Sequence, residues 1–218
     1  MSERLGLRER KKLRTREAIS DAAVKLFLER SFDSVTVAEI AEAAEVSSMT
    51  VFNHFPAKED LVLCRIDDHF GEAPAIVRAC GPEDSPLEAL LRHFLAGLAD
   101  RNPSTGLCDE PGFLAFQRMI MQTPSLKLRL VDQWLGSQSE LADALSGRLG
   151  EDPAAIVPRI AAMQITAAQQ ALVSRNLEQV LAGRGLDTVH PEAVAEAERA
   201  FGLLEHGLGR YGLGRPMA

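Results

Sequence analysis

The sequence contains few of the residues on which metalloproteins and disulfide-linked extracellular proteins depend. Its 218 residues include three cysteines, one tryptophan and one tyrosine. Cys64, Cys80 and Cys108 are widely spaced and form no C-x-x-C pair, which fits reduced cytosolic thiols better than a disulfide framework or a zinc site. The histidines form no i, i+4 pair and no ligand cluster. No metal site and no cofactor are therefore predicted.

Long apolar runs are also missing from the sequence. No stretch approaches the roughly 18 apolar residues of a transmembrane helix, and the charged N-terminus lacks the apolar region of a signal peptide. These features predict a cytoplasmic protein without a membrane segment. No nucleophile with its base, paired carboxylates or glycine-rich phosphate loop is recognisable, which disfavours an enzyme. Alternating β patterns of useful length are absent, so the chain is predicted to be all-α with about nine helices.

Charge is distributed unevenly along the chain. Residues 1–16 hold seven basic and two acidic residues and carry a net charge of +5, whereas the whole chain carries −7. Residues 17–218 therefore carry −12. A basic arm on an otherwise acidic protein indicates phosphate binding. A solvated, disordered tail is the alternative interpretation.

Residues 36–60, TVAEIAEAAEVSSMTVFNHFPAKED, predict two short helices separated by a tight turn. Thr36 and Glu39 have the spacing of a capping box that begins the first helix, and apolar residues follow at helical spacing. Ser47 is a candidate N-cap for a second helix over about residues 48–54. The arrangement is typical of a helix-turn-helix, which places its second helix in the major groove of DNA.

The second of these helices leaves polar side chains on its outer face, because Val51 and Phe55 are predicted to point inward. Asn can pair with adenine, Ser and Thr can bind bases or phosphates, and Met can contact a thymine methyl. With the basic arm, the predicted DNA-binding residues are Arg14, Arg16, Thr36, Ser47, Ser48, Met49, Thr50, Phe52, Asn53, His54 and Lys58. Lys58 is expected in the first turn of the next helix, within reach of a phosphate. An ordinary three-helix packing unit with a solvated face is the alternative.

These motifs resemble the tetracycline-repressor (TetR) family over about residues 10–65. The resemblance implies an all-helical, dimeric transcriptional regulator of double-stranded DNA, usually a repressor released from a palindromic operator by a small ligand. It is carried by Ala22, Phe27, Phe32, Thr36, Ile40, Ala41, Ala44, Val46, Ser47, Val51, Phe52, His54, Phe55, Lys58, Glu59 and Leu61.

Four positions depart from the pattern of that family. Glu45 stands where the family usually has the Gly that gives the turn easy access to positive φ. Met49 stands where it often has Gly, and Phe52 replaces a usual Tyr and so lacks the hydroxyl for a phosphate. Ala57 replaces a usual Ser and removes an N-cap. None of these substitutions is expected to break the fold, and the sequence does not show how they change DNA affinity and sequence preference.

The chain is predicted to divide into a basic arm and DNA-binding domain over residues 1–59 and an effector-binding and dimerisation domain over residues 60–218. The proline- and glycine-rich segment 101–111 is predicted to be a mobile connector. Aromatic, Met and polar residues of the second domain are candidates for an apolar ligand cavity; they are His93, Phe94, Phe113, Phe116, Gln117, Met119, Trp134, Gln138, Met163 and Gln164. Residues of these types also form ordinary cores, and no pattern identifies the ligand.

The last two long helices are predicted at about residues 154–182 and 191–209, with apolar residues at heptad-like spacing. The resemblance implies that such helices pair with their twins in a homodimer. The predicted interface residues are Ile156, Ile160, Met163, Ala167, Val194, Ala197, Phe201, Leu204 and Leu208. Burial inside the monomer is the alternative. A dimer is favoured because one helix-turn-helix reads few base pairs and symmetric half-sites require two.

Control by a small ligand is not the only kind of regulation that this sequence allows. A regulator with the same DNA-binding domain can instead respond to thiol oxidation or to a protein partner.

Overall fold

The structure, a computed structural model, describes residues 6–152 and 155–208, without the side chains of residues 7, 67–70 and 208. Within these residues the fold is all-helical, with ten α-helices and one short 3-10 helix. The all-α prediction is confirmed. None of these helices is long and apolar enough to cross a membrane. The first five residues of the predicted basic arm and the side chain of Leu208 lie outside the described residues.

The helix bounds agree with the sequence pattern at most positions. The helices are α1 (Leu7–Arg30), α2 (Val37–Ala43), α3 (Ser48–His54), α4 (Asp60–Leu63), α5 (Asp67–Ala79), α6 (Pro86–Ala99), α7 (Pro111–Gln122), α8 (Pro124–Leu149), α9 (Ile156–Leu181) and α10 (Leu186–Leu208). Proline begins α6, α7 and α8 because the first helical position needs no backbone donor. Pro191, predicted to begin the last helix, is instead the sixth residue of α10.

One compact unit contains the predicted helix-turn-helix and comprises Met1–Asp67 together with Ala115–Leu130. Its core combines apolar side chains of α1 to α4 with three from the ends of α7 and α8. The fully buried members include Ile19, Phe27, Ile40, Val51 and Phe55, joined by Met119, Ile120 and Leu126. The prediction that Met119 lines a ligand cavity is therefore corrected, because its side chain fills this core.

The turn between α2 and α3 has a backbone conformation that glycine adopts more easily than other residues. Glu45 has a φ of +55°, and only Ser31 and Arg101 share a positive φ among the non-glycine residues that the structure describes. The turn is closed by hydrogen bonds from the Glu45 amide to the Glu42 carbonyl at 3.1 Å and from the Val46 amide to the Ala41 carbonyl at 2.9 Å. The Glu side chain is thus tolerated there at the cost of backbone strain.

Glu45→Gly is expected to raise the free energy of unfolding by about 0.5–1 kcal/mol, because glycine adopts positive φ without strain. Glu42→Gly is the matched control, since Glu42 is exposed and lies within α2. The control should lower the free energy of unfolding by about 0.5–1 kcal/mol. Urea denaturation of the two variants measures both changes, and destabilisation by Glu45→Gly would contradict the account.

The second compact unit comprises Asp68–Leu114 and Val131–Ala218. Its core is formed by α6, α8, α9 and α10 and includes Leu90, Leu145 and Ile165, none of them measurably exposed. Ala197 and Phe201, at 0% and 3% exposure, belong to the same core, as do Leu204 and the partly buried Val194. The prediction that the heptad-like face of α10 forms a dimer interface is therefore wrong, because this face packs inside the protomer.

The segment after α6 is anchored to α9 and is not the mobile connector that its prolines and glycines predict. The buried Asn176 amide donates to the Thr105 carbonyl at 2.8 Å. Gly106 has a φ of +75°, and a Cβ added to it would lie 2.3 Å from the Val173 carbonyl oxygen. Glycine is thus required there both for its conformation and for the close approach of α9.

Candidate nucleic-acid interface

The start of α2 is fixed by the capping box that the sequence predicts. The Glu39 amide donates to the Thr36 hydroxyl at 3.3 Å, and the Thr36 amide donates to the Glu39 carboxylate at 2.8 Å. Arg30 pairs with the same carboxylate at 2.7 Å. The backbone hydrogen bond from Thr36, followed by Arg30, lowers the pKa of Glu39 to about 2. The Thr36 hydroxyl, predicted to contact DNA, is thus engaged in this cap.

The start of α3 is fixed by Ser47, as predicted. Its hydroxyl accepts from the Thr50 amide at 3.1 Å, and the two hydroxyls lie 2.9 Å apart. Val51 and Phe55, each 1% exposed, hold the inner face of the helix in the core. The helix bounds and the inward face predicted from the sequence are therefore confirmed.

The outer face of α3 combines exposed polar and large apolar side chains. Met49 and Phe52 are 68% and 53% exposed, and Ser48 and Asn53 are exposed beside them. Two large apolar side chains exposed together on one short helix can form a contact surface for a partner. Thymine methyl groups in a major groove are such partners, while the Asn53 amide has the donor and acceptor needed for adenine.

Arg16 joins the end of α3 to α1. Its Nη1 donates to the His54 carbonyl at 2.7 Å, and its guanidinium carbon lies 4.3 Å from the Phe55 ring centroid. The contact satisfies one of the last carbonyl groups of α3 with a cation, which is favourable at a helix C-terminus. Arg16 therefore has an anchoring role that the sequence did not reveal. Its contact with DNA stays a prediction, as does that of Arg14, which is exposed on α1.

Lys58 is placed differently from the prediction. It precedes α4 instead of lying in its first turn, and its Nζ donates to the Phe32 carbonyl at 2.5 Å. The same nitrogen lies 4.5 Å from the Phe32 ring centroid and 5.4 Å from that of Phe27. Burial lowers the pKa of Lys58 below its usual value. These contacts give Lys58 a role in the packing of the unit. Its ammonium group has further donors besides the one used on Phe32, so its predicted phosphate contact stays a prediction.

A cleft of about 370 Å³ separates the N-terminal part of α1 from the end of α3. It is lined by Glu9, Lys12, Leu13, Arg16, Asn53 and His54. The His54 Nδ1 atom is buried and has no hydrogen-bond partner among the described residues. Burial, then the charges of Lys12 and Arg16, lower the pKa of His54. The sequence predicted His54 and Asn53 as DNA-binding residues, but it gave no indication that they share a cleft with α1.

The predicted ligand-pocket residues occupy different surroundings. Phe94 is buried in the core of the second unit, and His93 is exposed and pairs with Glu72 at 3.1 Å. Met163 and Gln164 are exposed on α9, so they cannot line an enclosed cavity of the protomer. The half-buried members are Phe113, Phe116, Gln117, Trp134 and Gln138. Phe116 packs against the core of the first unit, to which Gln117 also belongs. A ligand site that includes Phe113, Trp134 and Gln138 of the second unit stays a prediction.

The outer faces of α9 and α10 expose an apolar surface. Ile156, Ile160 and Met163 are 65%, 43% and 56% exposed, and Ala167 continues the same face of α9. On α10 the exposed apolar side chain is Leu203, at 77%. A groove of about 480 Å³ lies between the two helices and is lined by Ala168, Ala171, Leu172, Arg175, Glu196, Ala200, Leu203 and Leu204.

Lys58→Met is expected to lower the free energy of unfolding by about 1–2 kcal/mol, because it removes the hydrogen bond to Phe32 and the contacts with two aromatic rings. Lys25→Met, on the exposed side of α1, removes the same charge and should change stability much less. Urea denaturation of both variants tests the assignment. Equal stability of the two variants would show that the internal contacts of Lys58 contribute nothing.

Comparison with known protein families gives two matches along the chain. Residues 19–63 match the model described as "Bacterial regulatory proteins, tetR family". Residues 110–205 match the model described as "MftR C-terminal domain". The first match covers the second half of α1 and all of α2, α3 and α4, and the second covers most of α7 to α10.

Two bacterial regulators are similar in sequence to part of the chain. The transcriptional regulator TcmR of Streptomyces glaucescens is 34% identical over 150 residues, which are 67% of this chain and 66% of TcmR. The transcriptional repressor KstR2 of Rhodococcus jostii is 29% identical over 126 residues, which are 56% of this chain and 62% of KstR2. Each match therefore spans slightly less than two thirds of the relative's length.

Solved structures of similar fold include two bacterial regulators. A TetR-family regulator from Streptomyces coelicolor has a TM-score of 0.51 and 25% sequence identity to this chain. The match covers 92% of this chain and 99% of that regulator. NalD, the secondary repressor of the MexAB-OprM multidrug efflux pump in Pseudomonas aeruginosa, has a TM-score of 0.55 and 19% identity. The NalD match covers 88% of this chain and 97% of NalD.

Proposed function

The chain belongs to the TetR family of bacterial regulatory proteins, and from this premise we propose that it is a dimeric repressor that binds a palindromic operator. The observation that carries the DNA-binding proposal is the exposed face of α3. The first turn of this helix is capped and its inner face is buried, so Met49, Phe52 and Asn53 are exposed on the outer face. Repression is supported by the relative KstR2, which is a transcriptional repressor. Because the operator is chromosomal DNA, the proposed location is the cytoplasm.

Two copies of α3 are needed for a palindromic site. In a dimer the two helices would enter successive major grooves about 34–36 Å apart. Phosphate contacts would come from the exposed cations of α1, such as Lys12 and Arg14. These contacts contribute affinity without sequence preference, whereas the side chains of α3 contact base edges.

We propose that a small, mostly apolar ligand releases the repressor. Such a ligand would bind better to a conformer in which the two copies of α3 have a different spacing, and would thereby shift the population away from DNA. The half-buried Phe113, Trp134 and Gln138 of the second unit are candidates for its binding site. The amide nitrogen of Gln170 is buried without an acceptor among the described residues, and it is a polar group that a ligand can satisfy.

Control by thiol oxidation is less well supported by the environments of the cysteines. Cys108 is 4% exposed. Burial, followed by the charge of Asp84, raises the pKa of the Cys80 thiol and so disfavours its reactive thiolate. Cys64 is half-buried and hydrogen bonded to the Ser20 hydroxyl at 3.3 Å. All three cysteines are therefore buried or half-buried.

One variant of α1 and one variant of α3 should affect DNA binding in different ways. Arg14→Ala should weaken binding to all sequences and reduce the slope of log affinity against log salt by about one unit, because one phosphate contact is lost. Asn53→Ala should change sequence preference, since an amide that can pair with adenine is removed.

Fluorescence anisotropy measures both effects, with a palindromic duplex from the DNA upstream of the chain's own gene and a scrambled duplex. Arg78→Ala, an exposed arginine of α5, is the control for loss of positive charge. If the unaltered protein binds none of the upstream palindromes, the proposed function is contradicted.

Leu203→Glu is expected to convert the dimer into monomers, because it places a charge in the exposed apolar surface of α9 and α10. Leu128→Glu is the matched control, since Leu128 is 68% exposed on α8 and Leu203 is 77% exposed. Sedimentation velocity should detect a monomer only for the first variant, while circular dichroism shows unchanged helix content for both. If both variants remain dimers, the interface lies elsewhere.

A further inference from the structure

The cleft between α1 and α3 has the side chains of an anion site. Lys12 and Arg16 contribute two cations from α1, and Asn53 and His54 contribute an amide and an imidazole from α3. Glu9, also from α1, lines the same cleft with a carboxylate. The five groups therefore include four that can donate hydrogen bonds to an anion and one that repels it.

His54 is held in this cleft with its ring in a defined environment. Its carbonyl accepts from Arg16 at 2.7 Å, so the end of α3 cannot turn away from α1 without losing this bond. Its Nδ1 atom is buried without a partner among the described residues. A proton on that nitrogen would place an unpaired charge close to two cations, which is unfavourable.

The charged groups that line the cleft around His54 are Glu9, Lys12 and Arg16, and all three belong to α1. Burial is the first cause that lowers the pKa of His54, followed by the charges of Lys12 and Arg16. The neutral imidazole form of His54 is therefore favoured in the protein without DNA. An anion in the cleft would oppose the two cations and favour the imidazolium form.

We propose that this cleft binds one backbone phosphate of DNA, and that His54 takes up a proton when the phosphate enters. The inference rests on the proposed DNA-binding function and adds to it a dependence of affinity on proton concentration. The sign follows from linkage, because phosphate raises the pKa of His54 in the complex above its value in the free protein. Affinity is therefore highest at low pH and falls as pH rises from the free-state pKa through the bound-state pKa.

Glu9 has a separate effect on the same phosphate. Its carboxylate repels the incoming anion, so Glu9→Gln should raise the affinity for DNA several-fold at every pH. Glu17→Gln removes the same charge from an exposed position of α1 outside the cleft and should have little effect. The pair distinguishes a contribution of the cleft from a change in net charge.

The experiment measures the affinity of the full chain for two duplexes between about pH 5.5 and pH 8.5, a range centred near the usual pKa of histidine, at constant ionic strength. One duplex is a palindrome from the upstream DNA and the other has scrambled sequence, because a phosphate contact is independent of sequence. The variants are His54→Gln and, as control, His206→Gln, which alters an exposed histidine of α10. Titration calorimetry in buffers of different ionisation enthalpy counts the protons taken up.

The inference predicts that the unaltered protein and His206→Gln bind more weakly as pH rises, by at most tenfold per pH unit, and take up protons on binding. His54→Gln should show neither effect. Unchanged pH dependence in folded His54→Gln, or equal effects of Glu9→Gln and Glu17→Gln, would overturn the inference while leaving DNA binding intact. Absence of binding to both duplexes at every pH would overturn the proposed function itself.

Discussion

The position of α3 depends on contacts with the rest of its compact unit, because a helix of seven residues has too few hydrogen bonds to be stable alone. Ser47 caps its first turn, Val51 and Phe55 bury its inner face, and Arg16 binds its last carbonyl group. These contacts fix the helix at both ends and along one side. The only face left for a partner is the one that carries Met49, Phe52 and Asn53, and so the recognition surface is a consequence of the packing beneath it.

The departures from the family pattern change the chemistry of this surface without removing its supports. Glu45 accepts a positive φ, and the turn keeps its hydrogen bonds to α2. Met49 and Phe52 add exposed apolar area where smaller or hydroxylated residues are usual. The exposed face of α3 is consequently more apolar, which would favour contacts with thymine methyls over additional contacts with phosphates. In the proposed complex, the cations of α1 and the α1–α3 cleft would then be the main sites for the DNA backbone.

Local features of the fold could be predicted from the sequence, whereas the partners of distant residues could not. The Thr36–Glu39 capping box, the Ser47 cap and the inward face of α3 depend on residues within a few positions of each other, and each is confirmed. The heptad-like spacing on α10 correctly indicated a buried face, but spacing does not identify the neighbour that buries it. In the structure that neighbour is the rest of the protomer, because Ala197 and Phe201 belong to its core.

Long-range contacts account for the other differences. Met119 packs into the core that contains α1 to α4, although it lies more than fifty positions along the chain from α4. The Lys58 side chain turns back to the Phe32 carbonyl, which no local pattern predicts for a lysine near a helix start. The α1–α3 cleft combines residues about forty positions apart and is visible only in the folded unit. Its residue types could be predicted from the sequence, whereas their proximity could not.

In the proposed complex, two copies of α3 bind adjacent major grooves of one palindromic site. Protection mapping of the DNA upstream of the chain's own gene tests this arrangement. We expect two symmetric protected half-sites whose centres lie about 10–10.5 base pairs apart, or a multiple of that spacing. A single asymmetric protected segment, or no protection at a protein concentration that gives the dimer, would contradict it.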